Sequence, residues 1–349
     1  MRTAIFLSLA LAACTPASLP APQPLAPMPV AHANNAVAML GEGDDARFYS
    51  FLGLKAGKTH EDISKSAFSY GPAANAWSSL PDVPVAQGRL ASIAVGLNGK
   101  IYLFGGYTVA PDGHEVSTPE VLAFDPVTNG YEQRAPMPTP VDDSVAFAYQ
   151  DRYIYLVSGW HDVGNVQLVQ VYDSVEDRWA RATDFPGAPV FGHAGGIFGN
   201  RIVIADGVTS TPNPETGRRS FAMTDGAFIG TIDPADPTRI DWQPLPPHPG
   251  KPRYRMAATG HDRRILFAGG SVVAYNFNGE GYDGTPAPAS AGVFAYDLAT
   301  STWVQLADKP APSMDHRGLL FWQGRFHTLG GMDDQRRVIG DVIAFEVTP

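Results

Sequence analysis

The chain of 349 residues contains a single cysteine, Cys14. No intrachain disulfide can form, and a cysteine-based metal site is excluded. Charge is scarce as well: only 17% of residues are charged, the formal net charge is -10, and no basic run occurs. A nucleic-acid partner is therefore not expected, because that affinity rests on Lys and Arg neutralising phosphates. The one pronounced apolar run, Ala4 to Ala12, is too short to cross a bilayer as a helix. What remains is a chain that is 44% hydrophobic, enough for a large core, with 36 glycines and 31 prolines but no collagen period. Such a composition implies many turns, and an all-β chain of this length often forms one domain.

The N-terminus places Cys14 in context. Arg2, the apolar run and then small residues have the layout of an export signal. Leu11, Ala12, Ala13 and Cys14 resemble the lipobox of bacterial lipoproteins, which implies that residues 1–14 form a signal ending at an acylated Cys14. An ordinary secretory signal with an incidental cysteine is the alternative, and with it a soluble periplasmic or secreted protein. Thr15, in place of an acidic residue, implies by the same resemblance sorting to the periplasmic face of the outer membrane. Residues 15–21 are proline-rich and suit a semi-rigid linker, leaving 22–349 as the folded domain.

That domain is repetitive. Four segments carry two aromatics at a fixed spacing of seven: Tyr70 and Trp77, Phe124 and Tyr131, Tyr172 and Trp179, Tyr296 and Trp303. Between them lie Asp, Pro, Asn and Thr, so each segment predicts a strand, a tight turn and a returning strand. Before the hairpins, β-rich runs end in small pairs: Gly105 and Gly106, Ser158 and Gly159, Asp206 and Gly207, Gly269 and Gly270, Gly330 and Gly331. The unit is roughly fifty to sixty residues long, longer than a WD-type blade, and no Trp-Asp dipeptide occurs.

These features resemble the kelch-repeat family, whose units carry a diglycine after the second strand and spaced aromatics across the last hairpin. The resemblance implies an all-β, six-bladed kelch-type β-propeller. Departures are Ser158 and Asp206 at the first glycine, Tyr131 at the tryptophan, and an extended turn before Trp242. The last repeat stops at Phe345 without room for a fourth strand, while the segment around "LAPMPVAHANNA" matches "RAPMPTPVDDSV". Residues near Pro22 to Met28 are thus expected to supply the outer strand of the last blade and close the ring. Five blades with a ragged N-terminus is the alternative.

In this family the start of each innermost strand and the loop after each second strand share one face, here called the mouth. "MDHR", Met314 to Arg317, is such a start, as are the segments holding Arg89, Asp142 and Asp143, His193, Arg253 and Arg255, and His32 to Asn35. A mixed-charge funnel is expected there, with His114, Glu115, Trp160, His161 and Tyr282 on its rim. Arg89, His193, Arg253, Arg255, Arg317, Trp160 and Tyr282 are the candidate ligand contacts. Arg255 leads them because a guanidinium grips carboxylate or phosphate, and its alternative is a salt bridge to Asp143 or Asp315.

Sharper motifs fail. "GEGYDG" matches a dinucleotide fingerprint by letters, yet Pro286 and Pro288 prevent the helix it needs. The oxygens of Asn276, Asn278, Glu280 and Asp283 lack the spacing of an EF-hand, and "HEVST" lacks a second histidine for zinc. No metal or cofactor is expected. The copper-radical chemistry of galactose oxidase, another kelch propeller, needs a cysteine this domain does not have. Two functions remain open. One is an envelope-tethered binding or scaffold module, favoured by the lack of any complete catalytic motif, that takes a saccharide or an envelope protein and acts as a monomer. The other is a sugar mutarotase or epimerase similar to N-acetylneuraminate epimerases, with His316, Asp315 or Asp143 moving protons and Arg255 or Arg89 clamping a carboxylate. Clustering of Arg255, Arg89 and His316 around one pocket would favour the enzyme, and a salt-bridged mouth would favour the scaffold.

Overall fold

The computed structural model describes residues 24–215 and 217–347, so the signal, Cys14 and the linker at 15–21 lie outside the described residues. Among the described residues, five four-stranded antiparallel sheets and one three-stranded sheet follow one another along the chain. Blade 1 comprises Ala36–Leu40, Arg47–Phe51, Ala67–Gly71 and Ala76–Leu80; blade 2 comprises Ile93–Leu97, Lys100–Phe104, Val121–Asp125 and Gly130–Arg134. Blade 3 is built from Val145–Tyr149, Tyr153–Val157, Val169–Asp173 and Arg178–Arg181, and blade 4 from Ala194–Phe198, Arg201–Ala205, Ala227–Asp233 and Asp236–Leu245. Ala257–His261, Arg264–Ala268, Val293–Asp297 and Thr302–Leu306 form blade 5, and Leu320–Trp322, Arg325–Leu329 and Val342–Phe345 form blade 6. The arrangement is a six-bladed β-propeller.

The paired aromatics do two jobs. Each pair stands directly opposite across its hairpin, with ring centroids 4.9 to 5.0 Å apart. Cross-strand aromatic contact of this kind adds roughly 0.2–1 kcal/mol per pair. The indole then reaches back to the preceding blade: Trp179 donates to the Ala135 carbonyl at 2.8 Å, Trp303 to Pro246 at 2.7 Å and Trp242 to Thr183 at 3.3 Å. In blade 2 the Tyr131 hydroxyl takes over, donating to the Pro81 carbonyl at 2.8 Å. The substitution at that position keeps the tie between blades and changes only its donor.

Closure of the ring repeats the same geometry. Trp77 donates to the Ala26 carbonyl at 2.8 Å, and Asn75 Oδ1 accepts from the Ala26 amide, as Asp177 Oδ1 accepts from Ala135. The Met28 amide bonds the Gly340 carbonyl at 2.7 Å, as Met137 bonds Pro119 at 2.8 Å. Residues 24–28 therefore close the ring beside blade 6 with the bonds that residues 133–137 make in blade 2, while Pro22 and Gln23 of the expected outer strand lie outside the described residues. Apolar clusters fill all six gaps between blades, and the last joins Leu320, Leu329 and Val342 of blade 6 to Val37, Phe48 and Tyr70 of blade 1.

The first position of each diglycine has positive φ: Leu52, Gly105, Ser158, Asp206, Gly269 and Gly330 lie between 48° and 73°. A Cβ at Gly105 would sit 2.5 Å from the Met137 methyl, so glycine fits where the next blade sends in a methionine. Asp206 occupies that position because its neighbour differs: His248 Nε2 meets Asp206 Oδ2 at 2.9 Å, and the Arg253 amide donates to the same oxygen at 2.8 Å. Ser158 fills its own gap by donating to the Val166 and Val190 carbonyls, each at 2.8 Å.

Candidate functional site

At the mouth the six blades meet in a belt. Asn34, Ala91, Asp143, Gly192, Arg255 and Asp315 occupy the same position before each innermost strand, and all have positive φ, between 48° and 69°. Backbone amides link them around the axis. Asp143 donates to the Ala91 carbonyl (3.3 Å), Gly192 to Asp143 (2.8 Å), Arg255 to Gly192 (2.7 Å), His316 to Arg255 (3.2 Å), and Asn34 to Asp315 (3.1 Å). Between Asn34 and Ala91 the link is made by a side chain, with Asn34 Oδ1 accepting from the Ala91 amide at 2.8 Å. A left-handed conformation costs an ordinary residue about 1–2 kcal/mol, and the belt of hydrogen bonds supplies the opposing gain. Only glycine fits in blade 4, where a Cβ on Gly192 would overlap the Tyr254 ring.

The belt's side chains close the axis. Arg255 is 2% exposed; its Nε and one terminal nitrogen donate to the two oxygens of Asp143 at 3.1 and 2.5 Å, and the other terminal nitrogen donates to Asp315 Oδ1 at 3.1 Å. Arg317 pairs with Asp143 and donates to Asn34 Oδ1 at 2.6 and 2.9 Å. Two guanidinium groups thus balance two carboxylates in a dry layer. Burial pushes the Asp143 carboxyl up, but Arg255 and Arg317 outweigh it and hold it below the usual value. Burial wins at Asp315, whose carboxyl is raised despite Arg255 and Arg317.

This layer separates two cavities that share no lining residue. On the far side is the central channel, about 310 Å³, lined by the inner strands with His193, His316 and Arg317 among its walls. On the mouth side is a pocket of about 70 Å³ lined by Tyr107, Glu115, Asp142, Asp143, Trp160, Phe191, Phe221, Arg255 and Tyr282. The expected open funnel is corrected here: an apolar cluster containing Leu54, Tyr107, Phe191, Tyr254, Tyr275 and Met332 fills most of the mouth. Tyr254 and Tyr275 lie against Arg255, 4.7 and 5.2 Å from ring centroid to guanidinium carbon.

Asp143, Arg255, Trp160 and Tyr282 are brought together at this pocket, and Asp315 and Arg317 join them through the belt. The other candidates lie elsewhere. Arg89 and Arg253 both stand two positions before a belt residue, and both turn into the blades: Arg89 pairs with Glu120 at 3.0 Å and reaches the Gly105 carbonyl, while Arg253 donates to the Gly269 and Gly292 carbonyls. His193 lies on the channel side with Nε2 on the Val157 carbonyl at 2.9 Å, and burial lowers its pKa to about 4. His316 meets Ser313 Oγ at 2.7 Å, which also accepts from Lys309 at 2.7 Å, and burial holds the imidazole well below its usual pKa. No carboxylate hydrogen-bonds His316 among the described residues, so the expected pairing with Asp315 or Asp143 is replaced by Ser313.

Tyr107, Asp142, Phe191 and Phe221 were not among the ligand contacts expected from the sequence, and Glu115 was placed only on a rim. A usable signal existed: Tyr107 and Trp160 each directly follow a second diglycine residue and pair back onto the strand start at Leu90 and Asp142. Glu115 reaches the pocket on the hairpin formed by Tyr107–Val109 and Glu115–Ser117. The residue is exposed and lines the pocket, where desolvation raises its pKa to about 7, Arg255 lowers it and Asp143 raises it further. Asp142 is raised well above the usual carboxyl range, by burial first and then by Asp143, and it accepts from Ser117 Oγ at 2.6 Å. The calcium oxygens considered for residues 276–283 are dispersed: Glu280 pairs with Arg336, Asn278 Oδ1 accepts from the Glu280 amide and Asp283 Oδ1 from Thr285. Among the described residues no group of three or more His, Cys, Asp or Glu is placed to hold a metal ion.

The six blades, the diglycine positions and the indole ties define a kelch-type propeller. Comparison with known proteins agrees: a Kelch motif model matches residues 252–310. Kelch-like protein 15 of Gallus gallus is 30% identical over 153 residues, covering 44% of this chain and 29% of that protein. The Homo sapiens protein of that name is 24% identical over 273 residues, 76% of this chain and 42% of the relative. Kelch-like protein terF of Aspergillus terreus is 27% identical over 252 residues, 70% of this chain and 49% of the relative. A solved structure titled "Structure of YjhT" superposes with a TM-score of 0.73 at 16% identity, covering 93% of this chain and 99% of that one. The chain is similar to kelch-repeat proteins in sequence and fold, and it spans less than half the length of these curated relatives.

Proposed function

We propose that the chain is a protein-binding module that presents its mouth face to an envelope partner, tethered through an acylated Cys14 and the linker at residues 15–21. The observation that carries the reading is the sealed mouth. Arg255 is occupied by Asp143 and Asp315, and Arg255, Arg89 and His316 lie in three different places. The acid and base that a mutarotase needs are divided in the same way: Asp143 faces the mouth pocket and His316 the channel. A saccharide has less support as the partner, since about 70 Å³ at the mouth falls short of the few hundred Å³ usual for small-molecule sites. Apolar side chains on that face, Val116, Val163, Val272 and Tyr282, are exposed and suit a protein contact.

Exchange NMR with acidic and neutral sugars tests the choice between binder and enzyme. No acceleration of anomer exchange is expected; acceleration that is lost in His316→Ala would overturn the proposal in favour of a mutarotase. For the tether, Cys14→Ser is expected to move the protein from the membrane fraction to the soluble one. Unchanged fractionation would rule out the lipid anchor and leave the binding face standing.

A further inference from the structure

The mouth pocket has a chemistry of its own. Its walls are aromatic: Tyr107, Trp160, Phe221 and Tyr282 surround the space, and Phe221 stacks on Tyr282 with centroids 3.9 Å apart. Within those walls stand the carboxyls of Glu115 and Asp142. The belt is already neutral, because Arg255 and Arg317 are matched by Asp143 and Asp315, so these two carboxyls are in excess. Glu115 makes no side-chain hydrogen bond or ion pair among the described residues, and Asp142 accepts one hydrogen bond, from Ser117. Tyr107 is 5% exposed, and its hydroxyl has no hydrogen-bond partner among the described residues. Two carboxyls in excess within aromatic walls suit a donor that carries positive charge.

Taking the mouth as the binding face, we infer that the pocket accepts an organic cation, the alkylammonium of a lysine side chain offered by a protein partner. The aromatic faces supply attraction for the cation, Glu115 supplies the opposite charge, Asp142 gives up its proton as the arriving cation favours its ionised form, and the Tyr107 hydroxyl supplies an acceptor for one N–H. A space of about 70 Å³ corresponds to roughly two waters' share of liquid volume, which suits an ammonium tip and excludes a sugar ring or a folded peptide segment. The walls already meet one cation: Arg219 lies 5.2 Å over the Trp160 ring while bonding Ser210 Oγ and the Val163 carbonyl. That contact shows the Trp160 ring in use as a cation platform within the chain itself.

Isothermal titration of the full chain with n-butylammonium, with n-butanol as the uncharged match, tests the inference. Saturable binding of n-butylammonium and none of n-butanol is expected, with affinity reduced about tenfold or more in Glu115→Gln. Trp160→Leu, which also removes packing on Phe191 and Phe221, is expected to weaken binding when assayed well below its own melting temperature. Absence of n-butylammonium binding, equal binding of n-butanol, or unchanged affinity in Glu115→Gln would each overturn the inference. The Nα-acetyl amide of lysine separates a side chain on a chain from a free amine: it must bind at least as well as n-butylammonium, and its rejection overturns a lysine-bearing partner. None of these failures bears on whether the mouth face meets a protein, which is tested separately by contact mapping on the two faces.

Discussion

Replacing Arg255 by methionine removes the group that holds the belt together. The substitution keeps similar bulk against Tyr254 and Tyr275 but leaves Asp315 without its ion pair and Asp143 with Arg317 alone. Breaking a buried pair in this way costs about 3–5 kcal/mol. With about 2.1 cal/mol/K of unfolding entropy per residue over roughly 320 residues, the melting temperature is expected to fall by about 4–7 °C. The pH dependence carries a sign. Asp315 already sits above 3.8 in the folded protein, and losing Arg255 raises it further. A carboxyl raised on folding gives stability that is present below its unfolded pKa and lost as pH rises through the folded one. The deficit of Arg255→Met is therefore expected to grow from acid toward neutral pH, and calorimetry across that range reads it. Adding Asp315→Asn removes the stranded charge and is expected to recover at least half of the loss. A single variant within about 1 kcal/mol of the parent, or a double variant as unstable as the sum of the two singles, would refute a charge-held belt.

The same geometry sets three further outcomes. Burial lowers the Lys309 pKa from 10.5 to about 7, so the unfolded chain binds the extra proton between those values and parental stability rises with pH there; in Lys309→Met the urea midpoint is expected to lose that rise, and parallel profiles would contradict it. His248→Met leaves the buried Asp206 carboxylate without its imidazole and is expected to cost about 3–5 kcal/mol, whereas Asp206→Gly with His248→Met recreates the Gly105 and Met137 pairing and is expected to recover most of it; chemical denaturation showing no recovery would sink the equivalence. Met28, 5% exposed, anchors the closure, so Met28→Ala is expected to cost about 2–5 kcal/mol and to speed amide exchange at residues 342–345, and unchanged exchange there would place the closure elsewhere.

The blades were legible because hairpin geometry forces a fixed spacing. Tyr70 and Trp77 can face each other across a turn only at that separation, and the diglycines recur because a side chain from the next blade occupies the space a Cβ would take. Closure by residues 24–28 was legible for the same reason: Met28 and Asn34 stand at the same interval as Met137 and Asp143. The mouth was read less well, and the cause is local. In an extended strand Arg253 and Arg255 would point the same way. The positive φ at Arg255 breaks that alternation, turning Arg255 to the axis while Arg253 goes into the blade beside Phe294. The same reversal separates Arg89 from Ala91 and leaves His193 and His316 on the channel side. A left-handed residue that is not glycine leaves no mark in composition or period, so the pocket of Tyr107, Glu115 and Asp142 became visible only in the folded chain.

Site-specific photocrosslinking in the cells that make the protein tests the mouth as a binding face most directly, with the crosslinker at Val163 on the mouth face or at Val127 on the opposite face, 75% and 90% exposed. One discrete protein adduct from Val163 and none from Val127 is the predicted result. Adducts from Val127 alone, or the same adducts from both positions, would contradict a mouth-face binding module.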